Sequence, residues 1–412
     1  MAARSVVVFV TMFAASLFFF VAVIGFLGAL NTLRKAGPDR HPIRRPLWIP
    51  MLITAELVPL RVIGRIILGG LLIWAGALDF RAGRIALWLT LATWAIYVVL
   101  VRRSFKTREA MRTALAHAGI DVGRPHIEWS RAIPAWPWRV PSNLERVEDV
   151  EYAPGLHLDL YRPRSRKLTA APILLHVHGG GWRGGNRRQQ ARPLMDRLAE
   201  SGWLCASISY PLSPDATFPE HLVAVKQAIA WLKAHASDYG ADCDSIVLTG
   251  GSAGGHLAAM AALTNGDHQP GFEEIDTSVA AVVSMYGIYD FLNRNGTRDD
   301  WPLIPNIVMK ATKAEAPDRY RAASPLDHVG PHAPPWFIIH GEQDAVVPPH
   351  ESRQFYNALA EASDNVVVYA ELPGATHTFD ILHSIRTHLT ISGVADFVNH
   401  VLGRDLALEG EA

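Results

Sequence analysis

The chain reads as an α/β protein: a mostly parallel sheet covered by helices on both faces, preceded by apolar transmembrane helices. Three observations predict this. The first hundred residues hold long apolar runs. From about residue 146, short apolar strands alternate with amphipathic helical stretches, the pattern of a sheet buried on both faces. A glycine-rich turn carrying a serine joins one such strand to the helix after it. The composition agrees, since 49% of the 412 residues are hydrophobic and only 19% charged, more apolar than an ordinary soluble domain. The formal net charge is zero, so nothing in the totals suggests a nucleic-acid partner. Two cysteines, Cys205 and Cys243, give neither a disulfide framework nor a metal-ligand spacing.

The amino-terminal block comes first in order. Residues 5–30 carry no charge, and a run of that length crosses about 30 Å of hydrocarbon. A secretory leader would have a shorter apolar core and a small-residue cleavage site. Residues 47–80 are apolar but interrupted by Glu56, Pro59, Arg61 and Arg65, and residues 66–80 are the cleaner part. Residues 85–101 form another run. This predicts three spans, with 47–60 as an interfacial or re-entrant lead-in. Arg61 and Arg65 lie one helical turn apart and are expected to snorkel to a headgroup layer; a charge pair with Glu56 is the alternative. Arg34, Lys35, Arg40, Arg44 and Arg45 follow the first run, and Arg102, Arg103, Lys106, Arg108 and Arg112 follow the last. Three spans put both clusters on one side, which the positive-inside rule makes cytoplasmic. The expected arrangement is an integral protein of the plasma membrane with a cytoplasmic head. Its parts are a membrane region over 1–103, a basic, Pro/Trp-rich linker or cap over 104–145, a catalytic head over 146–405 and a tail over 406–412. Trp136 and Trp138 could sit at the bilayer surface, cap the mouth of a site or pack on the head.

In the head, residues 147–153 and 156–163 look like an antiparallel start, with Leu156, Leu158 and Leu160 on one face. Strands are predicted at 173–178, 204–210, 245–250, 280–287, 336–341 and 366–372. A helix is predicted over 221–236, apolar at Leu222, Val225, Ile229 and Leu232. Sites in such sheets lie at the carboxyl ends of the strands. The irregular stretch 288–335, between two core strands, is long enough to be a lid or binding insertion.

Gly250-Gly251-Ser252-Ala253-Gly254 fits G-x-S-x-G. The pentapeptide alone is a weak signal. Between a strand and a helix it is a strong one, because the sharp turn holds the serine hydroxyl out at a helix N-terminus. The plainer reading is a serine that only caps the helix. A hydroxyl needs a base, and His377, in the loop after the last strand, is the best placed of 18 histidines. His340, His350 and His383 are its rivals. The imidazole needs a carboxylate to fix its tautomer. Asp344, in the turn after the preceding strand, fits, with Asp290 as runner-up and Glu342 as a turn residue. His178-Gly179-Gly180-Gly181 directly follows a strand. The N–H groups of Gly179, Gly180 and Ala253 are the expected donors to an oxyanion. Trp182 and His256 are candidate lining residues of a substrate pocket, though His256 could instead pack beneath it. No phosphate-loop pattern is present.

Taken together, His178-Gly179-Gly180-Gly181-Trp182, Gly250 to Gly255, and Gly341-Glu342-Gln343-Asp344 resemble the hormone-sensitive-lipase-like esterases of the α/β-hydrolase superfamily. HGGGW and SAGGHLA look especially like the carboxylesterase branch with bacterial feruloyl-esterase-like (BD-FAE-type) enzymes and plant prenylcysteine methylesterases. The resemblance covers about residues 145–405. It departs at Pro211, where many relatives have arginine after the tyrosine. It implies a cofactor-free, two-step hydrolysis of a small-molecule or lipid ester through an acyl-enzyme on Ser252. Two other expectations stay open at this point. HGGGW is also similar to the oxyanion loop of kynurenine formamidases, which cleave a formamide. A non-enzymatic membrane scaffold with an inactive head is the other.

Overall fold

The computed structural model describes residues 2–34, 48–134, 140–298 and 301–404. Lys35, Arg40, Arg44, Arg45, Trp136, Trp138 and the tail lie outside the described residues. In the head, alternation within each strand builds two cores. Ile173, Leu175 and Val177 of β3 (Ala171–Val177) face one core, while Leu174 faces the other. Trp336 and Ile338 of β7 (Trp336–Gly341) oppose Phe337 and Ile339 in the same way. A strand reading as a continuous apolar run is thus buried on both sides. The other strands are β1 (Leu144–Ala153), β2 (Leu156–Pro163), β4 (Leu204–Ile208), β5 (Ala241–Gly251), β6 (Ala281–Met285) and β8 (Val367–Leu372). The eight stand in the order β1-β2-β4-β3-β5-β6-β7-β8. β1 and β2 are the antiparallel start, and β4 through β8 pair in parallel.

The helices in chain order are α1 (Ala2–Thr32), α2 (Trp48–Glu56), α3 (Val58–Trp74), α4 (Arg81–His117), α5 (Trp129–Ala132), α6 (Arg192–Glu200), α7 (Glu220–His235), α8 (Ala253–Leu263), α9 (Pro317–Ala322), α10 (Pro349–Ala362) and α11 (Ile385–Val401). Two of them, α1 from Ser5 and α4, are long and apolar enough to cross a membrane; α2 and α3 pass the same test together but are bent by 82°. The break falls at Leu57, just before Pro59 in the first turn of α3. Proline is tolerated at that place and not inside a helix.

The boundaries differ from those read in the sequence. The second apolar helix runs over Val58–Trp74 rather than 66–80. Arg61 and Arg65, which had moved its expected start later, turn inward. Arg61 Nε donates to Tyr97 Oη at 3.0 Å, and the Arg65 guanidinium lies 6.0 Å from the Tyr97 ring centre. Glu56 pairs with neither arginine but with Arg386 of α11, at 2.8 Å. The third helix does not stop at 103. α4 continues to His117 and lies on α11 and β8, with Met111 against Gly393 and Arg103 against Gly374. The first part of the expected linker is therefore helix. The far ends of α1 and α3 meet where Gly76 approaches Thr11, whereas Ala29, Val58, Tyr97 and Leu100 cluster near the head. The carboxyl ends of α1 and α4 and the start of α3 thus share the head's side of the bundle.

Candidate active site

β5 and α8 are joined by Ser252 alone, with φ 57° and ψ −123°. A side chain on either flanking glycine would collide. A Cβ on Gly250 would stand 2.4 Å from the Gly254 carbonyl oxygen, and one on Gly254 2.0 Å from that of Val177. The turn is fixed by the Ser252 N–H donating to the Met285 carbonyl at 3.0 Å and by His256 N–H donating to the Ser252 carbonyl at 3.0 Å. Positive φ at a non-glycine residue carries strain, which the surrounding packing must hold.

His377 brings its Nε2 to 3.0 Å from Ser252 Oγ, while its Nδ1 lies 2.6 Å from Asp344 Oδ2. The carboxylate fixes the tautomer. Nδ1–H donates to Asp344, leaving Nε2 to accept from the serine hydroxyl. Asp344 Oδ1 accepts from the N–H groups of Val346 and Val347 at 2.8 and 2.9 Å. Complete burial would raise the Asp344 pKa, but His377 and His340 beside it outweigh this and hold it well below the usual carboxylate range. All three side chains are buried or nearly so. The His377 ring makes T-shaped contacts with two aromatic rings, Tyr286 at 4.8 Å and Trp48 of α2 at 5.8 Å between centroids.

The rivals are engaged elsewhere. Asp290 accepts from the N–H groups of Leu292 and Arg294 within its own turn. Glu342 accepts from the Gly374 N–H. His340 bonds Ser352 and the Val347 carbonyl, and it meets the site at Asp344 Oδ2, 3.3 Å from its Nε2, rather than at Ser252. His383 is buried before α11, and His350 is exposed.

The glycine loop requires a correction. The Gly179 N–H already donates to Gln190 Oε1 at 2.7 Å, so it is not free for an oxyanion. Among the described residues the N–H groups of Gly180 and Gly181 have no such partner. Gly180 has φ +124°, and a Cβ there would lie 2.1 Å from the Gly184 carbonyl oxygen. Trp182 and His256 are 1% and 0% exposed, so they pack beneath the loop and do not line an open pocket. Trp182 Nε1 donates to His256 Nδ1 at 3.3 Å, and His256 Nε2 donates to the Ala323 carbonyl at 2.8 Å. The insertion 288–335 is thereby tied to the glycine loop, and Leu303 reaches over Gly181. Tyr210, before the departing Pro211, stacks on His178 and donates to its carbonyl at 2.9 Å.

The sequence reading missed Gln190, Trp48, Tyr286 and Asp380. Tyr286 has φ 40° and donates a short hydrogen bond to Asp380, three residues beyond His377. Its signal was its place at the carboxyl end of β6. Both cysteines are free. Asp242, Cys243 and Asp244 bring ligand-type atoms within 4.8 Å of one another at the outer start of β5, but Asp242 is already bonded to Ser245.

Burial pushes the pKa of His176 and His256 down to about 3 and that of His178 to about 4. An unfolded histidine binds its proton near 6.5. These residues therefore contribute full stability above about pH 6.5, and that contribution is lost as the pH falls toward 3–4. Each one can add up to about 1.4 kcal/mol per pH unit within that window. The chemical-denaturation midpoint is expected to drop steeply between pH 6.5 and 4.5 and to do so less in His256→Gln. A midpoint independent of pH over that range would contradict it.

A sheet of this order, with a serine on the turn after β5 and carboxylate and histidine after β7 and β8, has the α/β-hydrolase fold. The BD-FAE family profile matches residues 158–359. The probable carboxylic ester hydrolase LipM of Mycobacterium tuberculosis is 40% identical, over 81% of this chain and 82% of that protein. Esterase LipQ of the same organism is 44% identical over 63% of each chain, so that match spans a little under two thirds of its length. Among solved structures, esterase Est2 of Thermogutta terrifontis superposes with a TM-score of 0.54 at 25% identity, covering 66% of this chain and 96% of that one. The chain belongs to the BD-FAE-type carboxylesterases of the α/β-hydrolase superfamily, and it is a carboxylic ester hydrolase.

Proposed function

We propose that the chain is a membrane-anchored serine carboxylesterase or lipase that cleaves a lipophilic ester through an acyl-enzyme on Ser252. The observation that carries this reading is the unbroken line Ser252 Oγ, His377 Nε2, His377 Nδ1, Asp344 Oδ2, at 3.0 and 2.6 Å. Ser252 Oγ attacks the ester carbonyl carbon while His377 Nε2 takes the hydroxyl proton. The carbonyl oxygen becomes an oxyanion and is received by the N–H groups of Gly180, Gly181 and Ala253. Collapse of the intermediate breaks the bond to the alkoxy oxygen, which leaves as alcohol with the proton from His377. Water, deprotonated by the same imidazole, then releases the acid. Asp344 stays ionised throughout and stabilises the imidazolium. A fluorophosphonate probe is expected to label Ser252 in the folded wild-type protein; no labelling would end this reading.

The amino-terminal layer supports the membrane part. Arg34 after α1, Arg61 and Arg65 of α3, and Arg102, Arg103 and Lys106 of α4 stand on the head's side and outnumber Arg81 and Arg84 at the far end of α4, so three crossings put the head in the cytoplasm by the positive-inside rule. A lipophilic substrate fits the surroundings, since Ile49 and Ile53 of α2 are exposed, 48% and 38%, beside Trp48. Each methylene buried adds about 0.8 kcal/mol. The kcat/KM for nitrophenyl octanoate is therefore expected to exceed that for the acetate by roughly tenfold or more. Equal values along a chain-length series would argue for a small polar ester instead. The insertion over 288–335 is read as the wall of the acyl or alcohol pocket.

A further inference from the structure

The amino-terminal layer does more than hold the head at a surface. Helix α2 ends in Glu56, whose side chain is fully buried. Both of its oxygens are used at the start of α11. Oε1 accepts from Arg386 Nε at 2.8 Å and Oε2 from Ser384 Oγ at 2.7 Å. Arg386, itself buried, turns Nη1 onto the Pro373 carbonyl at 2.6 Å and onto Thr107 of α4 at 3.3 Å. Ser384 caps α11 by accepting the Thr387 N–H at 3.1 Å. Pro373 and Ser384 are the two ends of the loop that carries His377. One carboxylate on α2 thus holds that loop directly at its end and, through Arg386, at its beginning. The other end of α2 reaches the loop's centre, with Trp48 at 88° to the His377 ring. A third tie lies beside Asp344: with its amide oriented to suit its neighbours, Gln343 donates to the Thr32 carbonyl of α1 at 3.1 Å and accepts from Arg103 of α4 at 3.2 Å.

A buried ion pair is weak evidence for stability, because desolvation cancels most of the attraction; its better attested use is to fix one geometry. Here the fixed geometry is that of the general base.

We propose that α2 is a working part of the active site, with Glu56 and Trp48 as positioning residues for His377, so that the head is competent only while α2 is docked. This rests on the triad reading above and adds to it that the membrane layer sets turnover, whatever the ester.

The test uses the full chain in detergent micelles with nitrophenyl acetate, which needs no lipid surface. A fluorophosphonate counts competent Ser252, and circular dichroism follows melting. Trp48→Ala and Glu56→Gln are each expected to lower kcat by about tenfold or more, with KM within about twofold, in protein that melts cooperatively. Trp48→Phe is expected to recover most of the loss. If Glu56→Gln does not fold, Trp48→Ala decides, since Trp48 is only partly buried. Unchanged kcat in folded Trp48→Ala would overturn the proposal, as would equal changes in kcat per labelled serine for Trp48→Ala and Trp48→Phe. A wild-type protein that is neither labelled nor active would sink the triad reading itself, a separate result.

Discussion

Replacing Ser252 by alanine is expected to lower ester turnover by about 10⁶-fold and to leave the fold intact. The magnitude is that of removing a triad nucleophile when its partners cannot act without it. The structural cost is small for reasons specific to this turn. The bonds that hold residue 252 at φ 57° are backbone bonds, its N–H to Met285 and its carbonyl from His256. Alanine keeps both, and it keeps the Cβ that the turn already accommodates. Only the hydrogen bond to His377 is lost. Turnover of nitrophenyl butyrate and thermal melting should therefore separate cleanly. More than about a tenth of wild-type turnover, in protein free of contaminating esterase, would show that another group attacks the ester.

The head was legible in the sequence because two independent periodicities agreed there. Apolar runs of strand length alternated with helical patterns. The G-x-S-x-G turn fell where a strand passes into a helix, which fixes the position of Ser252 in any parallel sheet of this kind. His377 and Asp344 could be chosen because each follows one of the last two strands, and strand ends on one edge must converge. Asp290 stayed as runner-up to Asp344 because it too follows a core strand. What separates them is local. The Asp290 carboxylate is consumed by the N–H groups of Leu292 and Arg294.

Gly179 was misjudged for a similar reason. Three consecutive glycines look equivalent until Gln190, eleven residues on, takes the first N–H. The amino-terminal layer was harder. Hydropathy detects apolar length but not which partner a charge meets. Arg61 and Arg65 suggested snorkelling to a headgroup layer, with a local pair to the nearby Glu56 as the alternative. Their partners, Arg386 and Tyr97, are brought near only by the folding of the whole chain.

Asp344→Asn is expected to lower kcat by about 10⁴-fold, the scale seen when a triad histidine is held in the wrong tautomer. The Asp344 side chain has two unequal duties. Oδ1 accepts two backbone N–H groups, from Val346 and Val347, and Oδ2 faces His377 Nδ1 at 2.6 Å, with His340 Nε2 further off at 3.3 Å. An asparagine has one oxygen. Two amide donors already aim at the Oδ1 position, so the oxygen settles there and the NH₂ turns to His377. Nδ1 must then accept, which moves the ring proton to Nε2, where it faces Ser252. An imidazole in that state cannot take the hydroxyl proton. The substitution is nearly isosteric and preserves both backbone bonds, so melting should change little while turnover collapses. Asp290→Asn provides the contrast. Its carboxylate closes a turn and pairs with the Arg294 guanidinium at 3.4 Å, away from His377, and turnover should stay within about threefold of wild type. If instead Asp290→Asn were the damaging change and Asp344→Asn the mild one, the orienting carboxylate would lie after β6, and the hydrogen bond from His377 to Asp344 would have no part in moving the serine proton.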